Sequence, residues 1–434
     1  MGRIILRHAM DLSIIAKIAR DVLRWDRLEY PRSSILTLAH DNDRSLLYQG
    51  RWYSPLVDTL EDDLGIRGVR CLSVARIISR IKGEQAYGSV VSPEGAFARA
   101  LLGKRLVAAF SRGRYAYSTM EERIWAKILD ATGARAVVGI QPSRELCVAS
   151  RGRGVWIADV QHGVISESHP WYGAQFRADD PEEQLPNAFL CWDFGSQEVI
   201  DQWAKSKSDV RTIVTGNRWV RRFLWPQSTD AMAQSLLNTY QERKPDSLGR
   251  PTILVALSWG DINIPNGFMV DALRDVIKST ANKYQWLVRL HPNQLNGFAT
   301  HEGRKFRDYF RRNLQGYTEW ESTTKFPLPL VLAQVDLHIS WNSSVSIEAA
   351  QMGIRTALMD PRLRSAEQKG DYYDYYRRIG KIDLIEATFD SISSWIQYNL
   401  GTRTEPEDFK PYDVEYNGVL DKLVAMNEKV LWDT

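Results

Sequence analysis

A rhythm in this sequence limits its possible folds more than anything else. From about residue 119 onward, short apolar runs alternate with stretches of helical periodicity. A helical pattern at 119–131 leads into an apolar run at 134–140, and one at 143–150 leads into 154–160. Runs at 188–192 and 211–215 follow, separated by a helical pattern at 196–204. Runs this short and this apolar predict strands of a parallel sheet buried between helices. The rhythm breaks at the polar segment 227–249, which reads as an interdomain connection, and then restarts. Runs at 252–257, 285–290, 336–340 and 355–359 alternate with helical patterns at 267–281, 329–335 and 346–352. The expected class is α/β, with two Rossmann-like domains facing each other across a cleft. The expected division is residues 1–240 and 241–434, with the helical pattern near 385–400 packed at the junction. A length of 434 residues agrees, because it exceeds what one ordinary core serves.

The first hundred residues are less regular. At 11–28 the apolar positions Ile14, Ile15, Ile18, Val22 and Trp25 recur at helical spacing, opposite Lys17, Arg20, Arg24 and Arg27. That basic face reads either as a solvated edge or as a contact with a membrane surface. The chain as a whole carries 56 basic and 53 acidic side chains, a net charge of +3, which is too little bias for a nucleic-acid partner. Its three cysteines, Cys71, Cys147 and Cys191, stand far apart and read as reduced thiols. No apolar stretch approaches the roughly 18 residues of a membrane span. The apolar residues 4–6 meet Arg7 and His8 at once, unlike a signal peptide. These observations predict a cytoplasmic protein, with the inner membrane face as the place of any peripheral contact.

Four passages carry chemistry. In the first, the run 336–340 enters Trp341-Asn342-Ser343-Ser344 and then a helical pattern holding Glu348, which Gly353 stops as a left-handed cap. Small hydroxyl residues at a strand-to-helix turn bring N–H and O–H donors close to an anion, which suits a phosphate. A plain helix cap by one serine is the competing reading, and it leaves the second serine and Glu348 unused. In the second, His291-Pro292 directly follows a buried run, so the imidazole stands at a strand's carboxyl end, where it can meet a phosphate or a leaving group. The third is Gln161-His162-Gly163, with Glu167 and His169 on the same loop. The fourth is Ser258-Trp259-Gly260-Asp261, where Asp261 reads as a base, a nucleophile or a turn residue.

The first three of these passages, together with Gly216-Asn217 at another strand end, resemble in residue type and order the two-domain glycosyltransferases of the GT-B fold. Within that fold the chain is most similar to the bacterial capsule and lipopolysaccharide group, above all the β-Kdo transferases that use CMP-Kdo. The resemblance covers roughly residues 134–360 and includes the segment 185–193. It implies transfer of a sugar from a nucleotide donor to a saccharide or glycolipid acceptor, with no cofactor. It places His291, Ser343 and Ser344 on the nucleotide phosphate, Pro292 and Asn342 within the same nucleotide-sugar site, Glu348 near the ribose or base, and His162 on the donor from the first domain. It also implies Asp261 as the nucleophile of a double displacement, with Glu167 for acid/base work. At the strand ends read from residue 134 onward no Asp-x-Asp pair stands, so the implied reaction calls for no metal. Two other readings stay open: a nucleotide-sugar 2-epimerase of the same fold, and a non-catalytic binding protein of polysaccharide assembly.

Overall fold

Once both faces of an apolar run are buried, only neighbouring strands can take up its backbone N–H and C=O groups. The computed structural model describes residues 22, 29–76, 79, 81–110, 117–226, 229–258, 264, 267–292, 294, 301–365 and 368–432. Its strands are β1 (Ile35–Leu38), β2 (Leu46–Tyr48), β3 (Arg51–Tyr53), β4 (Cys71–Ser73), β5 (Ala136–Gly139), β6 (Trp156–Val160), β7 (Ala188–Cys191) and β8 (Arg211–Val214). The second half supplies β9 (Thr252–Ala256), β10 (Gln285–Arg289), β11 (Thr318–Glu319), β12 (Leu337–Ser340), β13 (Arg355–Leu358) and β14 (Ile382–Leu384). They form two six-stranded sheets, ordered β4-β1-β5-β6-β7-β8 and β11-β10-β9-β12-β13-β14. Every pairing within the two is parallel, whereas β2 and β3 form a separate antiparallel hairpin. The expected pair of Rossmann-like domains is present.

In both sheets the chain works outward from a central strand and then restarts on its other side. The order reverses between β1 and β5 in the first sheet and between β9 and β12 in the second. Such reversals leave a crevice beyond the carboxyl ends of the strands. Short polar caps fix where the helices leave it: Ser143 accepts from Leu146 N–H at 3.3 Å, and Asp193 from Ser196 N–H at 2.7 Å.

The structure adds to three of these readings. The connecting segment 227–249 holds a helix, Ala231–Arg243. Its buried residues are Met232, Ala233 and Tyr240, and Tyr240 meets Phe326 edge-on at 5.0 Å. Three inward positions in thirteen are too few to read as an apolar stripe. The helix Phe389–Asn399 lies within the second domain's core, not at the junction, because Ile392, Trp395 and Ile396 join the cluster of Leu273, Val276 and Ile277. The last helix, Lys410–Trp432, crosses between domains, since its Tyr416, Val419, Leu420 and Leu423 share a core with Ile35, Leu60 and Ala136 of the first domain. A division at residue 240 assigns this helix to the second half, while its apolar face covers the first sheet. Apart from residue 22, the expected helix at 11–28 lies outside the described residues. Among the described residues no helix is long and apolar enough to cross a membrane.

Candidate functional site

Loops from the carboxyl ends of both sheets meet over one cleft, which holds about 1060 Å³ of space, part of it open to solvent. In the second domain, Ser340 ends β12. Its hydroxyl donates to Ala256 O at 2.8 Å and accepts from Ser343 N–H at 3.1 Å, drawing the following turn down onto β9. Asn342 holds that turn from the side. Its Oδ1 accepts from the Ser258 hydroxyl at 3.0 Å, its amide donates to Asp360 at 2.6 Å, and its carbonyl accepts from Tyr373 OH at 2.7 Å. With the turn pinned, Ser343 and Ser344 line the cleft. Ser344 occupies the N-cap of the helix Val345–Gln351 without a side-chain cap bond, and Ser343 Oγ accepts from Val345 N–H at 3.4 Å. Capping therefore engages the serines weakly.

His291 and Pro292 line the same cleft from the end of β10, with β9 between them and that turn. Gln294 Oε1 accepts from His291 N–H at 2.8 Å and closes the turn after β10. Two further residues of the cleft, Arg289 and Glu348, shift each other's charge. Burial lowers the Arg289 guanidinium to about 10, opposed by the nearby Glu348 carboxylate. Burial likewise raises Glu348 to about 7, opposed by Arg289. Arg289 also donates to Phe326 O at 2.9 Å, which fixes its reach.

The first domain contributes His162. Gln161 Nε2 donates to Gly163 O at 2.9 Å and to Ser196 Oγ at 3.0 Å, and its Oε1 accepts from Trp192 N–H at 2.6 Å. Gly163 turns the chain with φ of +84°, a conformation that favours glycine. The His162 ring stacks on His40 with centroids 5.8 Å apart. Burial lowers His162 to about 3, helped by the positive fields of His40, Arg76, His291 and His169. Burial alone lowers His291 to about 4.

Of the residues singled out in the sequence, the structure brings together His162, His291, Pro292, Ser343, Ser344 and Glu348. Asn342 is a buttress of the turn and is not among the residues lining the cleft. Glu167 belongs to a neighbouring groove of about 630 Å³, with Asp193 and Tyr373, and its N–H donates to Asp371 at 2.6 Å. Asp261 lies outside the described residues. Asp43, Trp192, Trp219 and Arg289, to which the sequence assigned no role, also line the cleft. Arg289 left a signal, a charge at the end of an otherwise apolar run. Asp43 left none, since it stands in the irregular first hundred residues.

Two parallel six-stranded sheets with a shared cleft at their carboxyl ends define a two-domain architecture of the GT-B type. No family model matches the sequence, and no curated protein matches it. Solved structures do. The fold is similar to that of UDP-GlcNAc 2-epimerase from Neisseria meningitidis bound to UDP-GlcNAc, with a TM-score of 0.54 at 10% identity over 90% of this chain and 99% of that one. The corresponding epimerase from Methanocaldococcus jannaschii gives 0.54 at 10% identity, over 89% and 98% of the two chains. A variant of the wall teichoic acid polymerase TagF gives 0.54 at 12% identity, over 98% and 100%. At such identities the likeness is one of architecture.

Proposed function

We propose that this protein is a nucleotide-sugar-dependent glycosyltransferase working in the interdomain cleft. The observation that carries the reading is the convergence on that cleft of His162 from the first domain and His291, Ser343, Ser344, Arg289 and Glu348 from the second. Breaking the bond between a sugar and its phosphate leaves negative charge on the phosphate oxygen. Hydroxyls, imidazoles and a guanidinium already fixed around that oxygen stabilise it without reorganising. Glu348, held near neutrality, suits a hydrogen bond to a ribose hydroxyl or a base. The sequence resemblance favours CMP-Kdo as donor and a surface polysaccharide or glycolipid as acceptor, and makes Asp261 the carboxylate to examine as nucleophile.

A second reading, epimerisation of a free UDP-sugar, is favoured by the likeness in fold to the UDP-GlcNAc 2-epimerases. Thermal shift and calorimetry with CMP, CDP and UDP separate the two. Stabilisation by CMP supports transfer from a CMP-sugar, and stabilisation by UDP alone favours the epimerase. Replacing Ser343 and Ser344 together with alanine should weaken nucleotide binding by about 1–3 kcal/mol, the loss expected for hydrogen bonds to a charged group. No response to any nucleotide would sink both readings.

A further inference from the structure

Among the described residues lining the cleft, two are carboxylic acids: Glu348 from the second domain and Asp43 from the first. Glu348 belongs to the donor side of the reading above, while Asp43 has no part in it. Asp43 sits in the turn that leaves β1, at the reversal point of the first sheet, with its N–H donating to His40 O at 2.9 Å. Its Oδ2 accepts from the Ser54 hydroxyl and from Leu56 N–H at 3.2 Å. Ser54 Oγ in turn accepts from Val57 N–H at 3.2 Å, so the carboxyl is fixed to the start of the helix Val57–Ile66. The adjacent Arg44 is engaged elsewhere, in an ion pair with Asp58 at 2.9 Å and a hydrogen bond to Trp52 O at 3.1 Å.

Asp43 is thus a buried carboxyl, oriented by its neighbours, on the wall opposite the phosphate-binding turn. Burying such a group is costly, and an acid held in this way at a cleft is suited to proton transfer. Burial raises it to about 6, opposed by Ser54, Leu56, Arg44 and Val57. The other charges that act on it are Asp58, beside Arg44, and Glu348 across the cleft.

We infer that Asp43 is the general base that takes the proton from the acceptor hydroxyl, an assignment that rests on the glycosyltransferase reading. As the acceptor oxygen bonds to the anomeric carbon, its O–H bond breaks and the proton passes to the Asp43 carboxylate. The bond from that carbon to the leaving oxygen breaks, and its electron pair departs with the leaving oxygen. The negative charge has moved from Asp43 to the leaving group, so the step balances without a further reactant.

The test follows turnover of the nucleotide-sugar donors of the selected nucleotide, by wild type and variants, across the range about pH 5 to 8. Asp43→Asn should lower turnover by about 100-fold or more, the usual share of a general base. Its nucleotide affinity should stay within about twofold, because the loss is confined to the transition state. Asp43→Glu should recover part of the rate. The base works deprotonated, so the wild-type rate should rise with pH through an acidic limb. Ser54→Ala removes a donor that favours the carboxylate and should move that limb to higher pH. Near-normal turnover by folded Asp43→Asn, or an equal fall in its nucleotide affinity, would overturn the assignment alone. Should Asp43→Asn fail to fold, the limb in Ser54→Ala decides, and an unmoved limb overturns the assignment. A wild type that turns over no donor removes the glycosyltransferase reading, and the base with it.

Discussion

His162 and His291 show how burial prepares a residue for an anion. Both rings are held well below their ordinary value, His162 at about 3 and His291 at about 4, chiefly by desolvation of the charged form. A phosphate placed beside them reverses that penalty and raises both values. Nucleotide binding should therefore draw protons from solvent, and affinity should rise as pH falls through the values the bound rings acquire. The gain reaches up to about tenfold per pH unit for each proton taken up, and levels off below the unbound values. Calorimetry in buffers of different ionisation enthalpy measures the uptake directly, and His291→Gln should abolish part of it. Affinity that stays flat with pH, with no buffer dependence, would show that the imidazoles do not meet the phosphate. The histidines were legible in the sequence because each directly follows a buried run. Glu167 shares a loop with His162, yet it turns into the neighbouring groove, and spacing along a loop does not specify which cavity a side chain enters.

The turn-and-helix element at residues 341–353 depends on its last residue. Gly353 takes φ of +76°, as the expected left-handed stop requires, and its carbonyl accepts from Thr404 N–H at 2.9 Å. A Cβ at this position would lie 2.2 Å from Thr404 O and 3.0 Å from Pro406 N, both backbone atoms. Gly353→Ala should therefore cost more than the conformational penalty of about 1 kcal/mol, and about 3 kcal/mol in all once the chain crossing is displaced. Thermal unfolding measures this, and a melting temperature unchanged from wild type would contradict the geometry. The left-handed stop was legible, since glycine after a helical pattern has one common use. The crossing chain was not, because Thr404 is 51 residues from Gly353, a separation no local pattern encodes.

At the scale of the whole molecule, the last helix ties the chain's end to its beginning. Tyr416, Val419, Leu420 and Leu423 are buried on the first domain, with Arg67 donating to Asn417 at 2.7 Å and Arg218 paired with Asp413 at 2.7 Å. Full burial of four such side chains contributes on the order of 5–10 kcal/mol, comparable with the whole stability of a domain. Ending the chain after residue 408 should leave Ile35, Leu60 and Leu190 uncovered and abolish cooperative unfolding of the first domain. Near-UV circular dichroism and gel filtration check this. A monomeric truncated chain with native aromatic signals would refute the dependence.

The amino-acid order alone dictates the parallel sheets and the sequence of their helices, because short apolar runs in a βα rhythm have few other ways to hide their backbones. It also determined that His162, His291, Ser343 and Ser344 stand at strand ends, since adjacency to a buried run is a local property. Long-range packing settles that these ends share a cleft with Asp43 and Arg289, that Glu167 lies outside it, and that the last helix belongs to the first sheet. Those outcomes depend on contacts between residues far apart in the chain, and such contacts are selected by how whole faces fit, which no local period records.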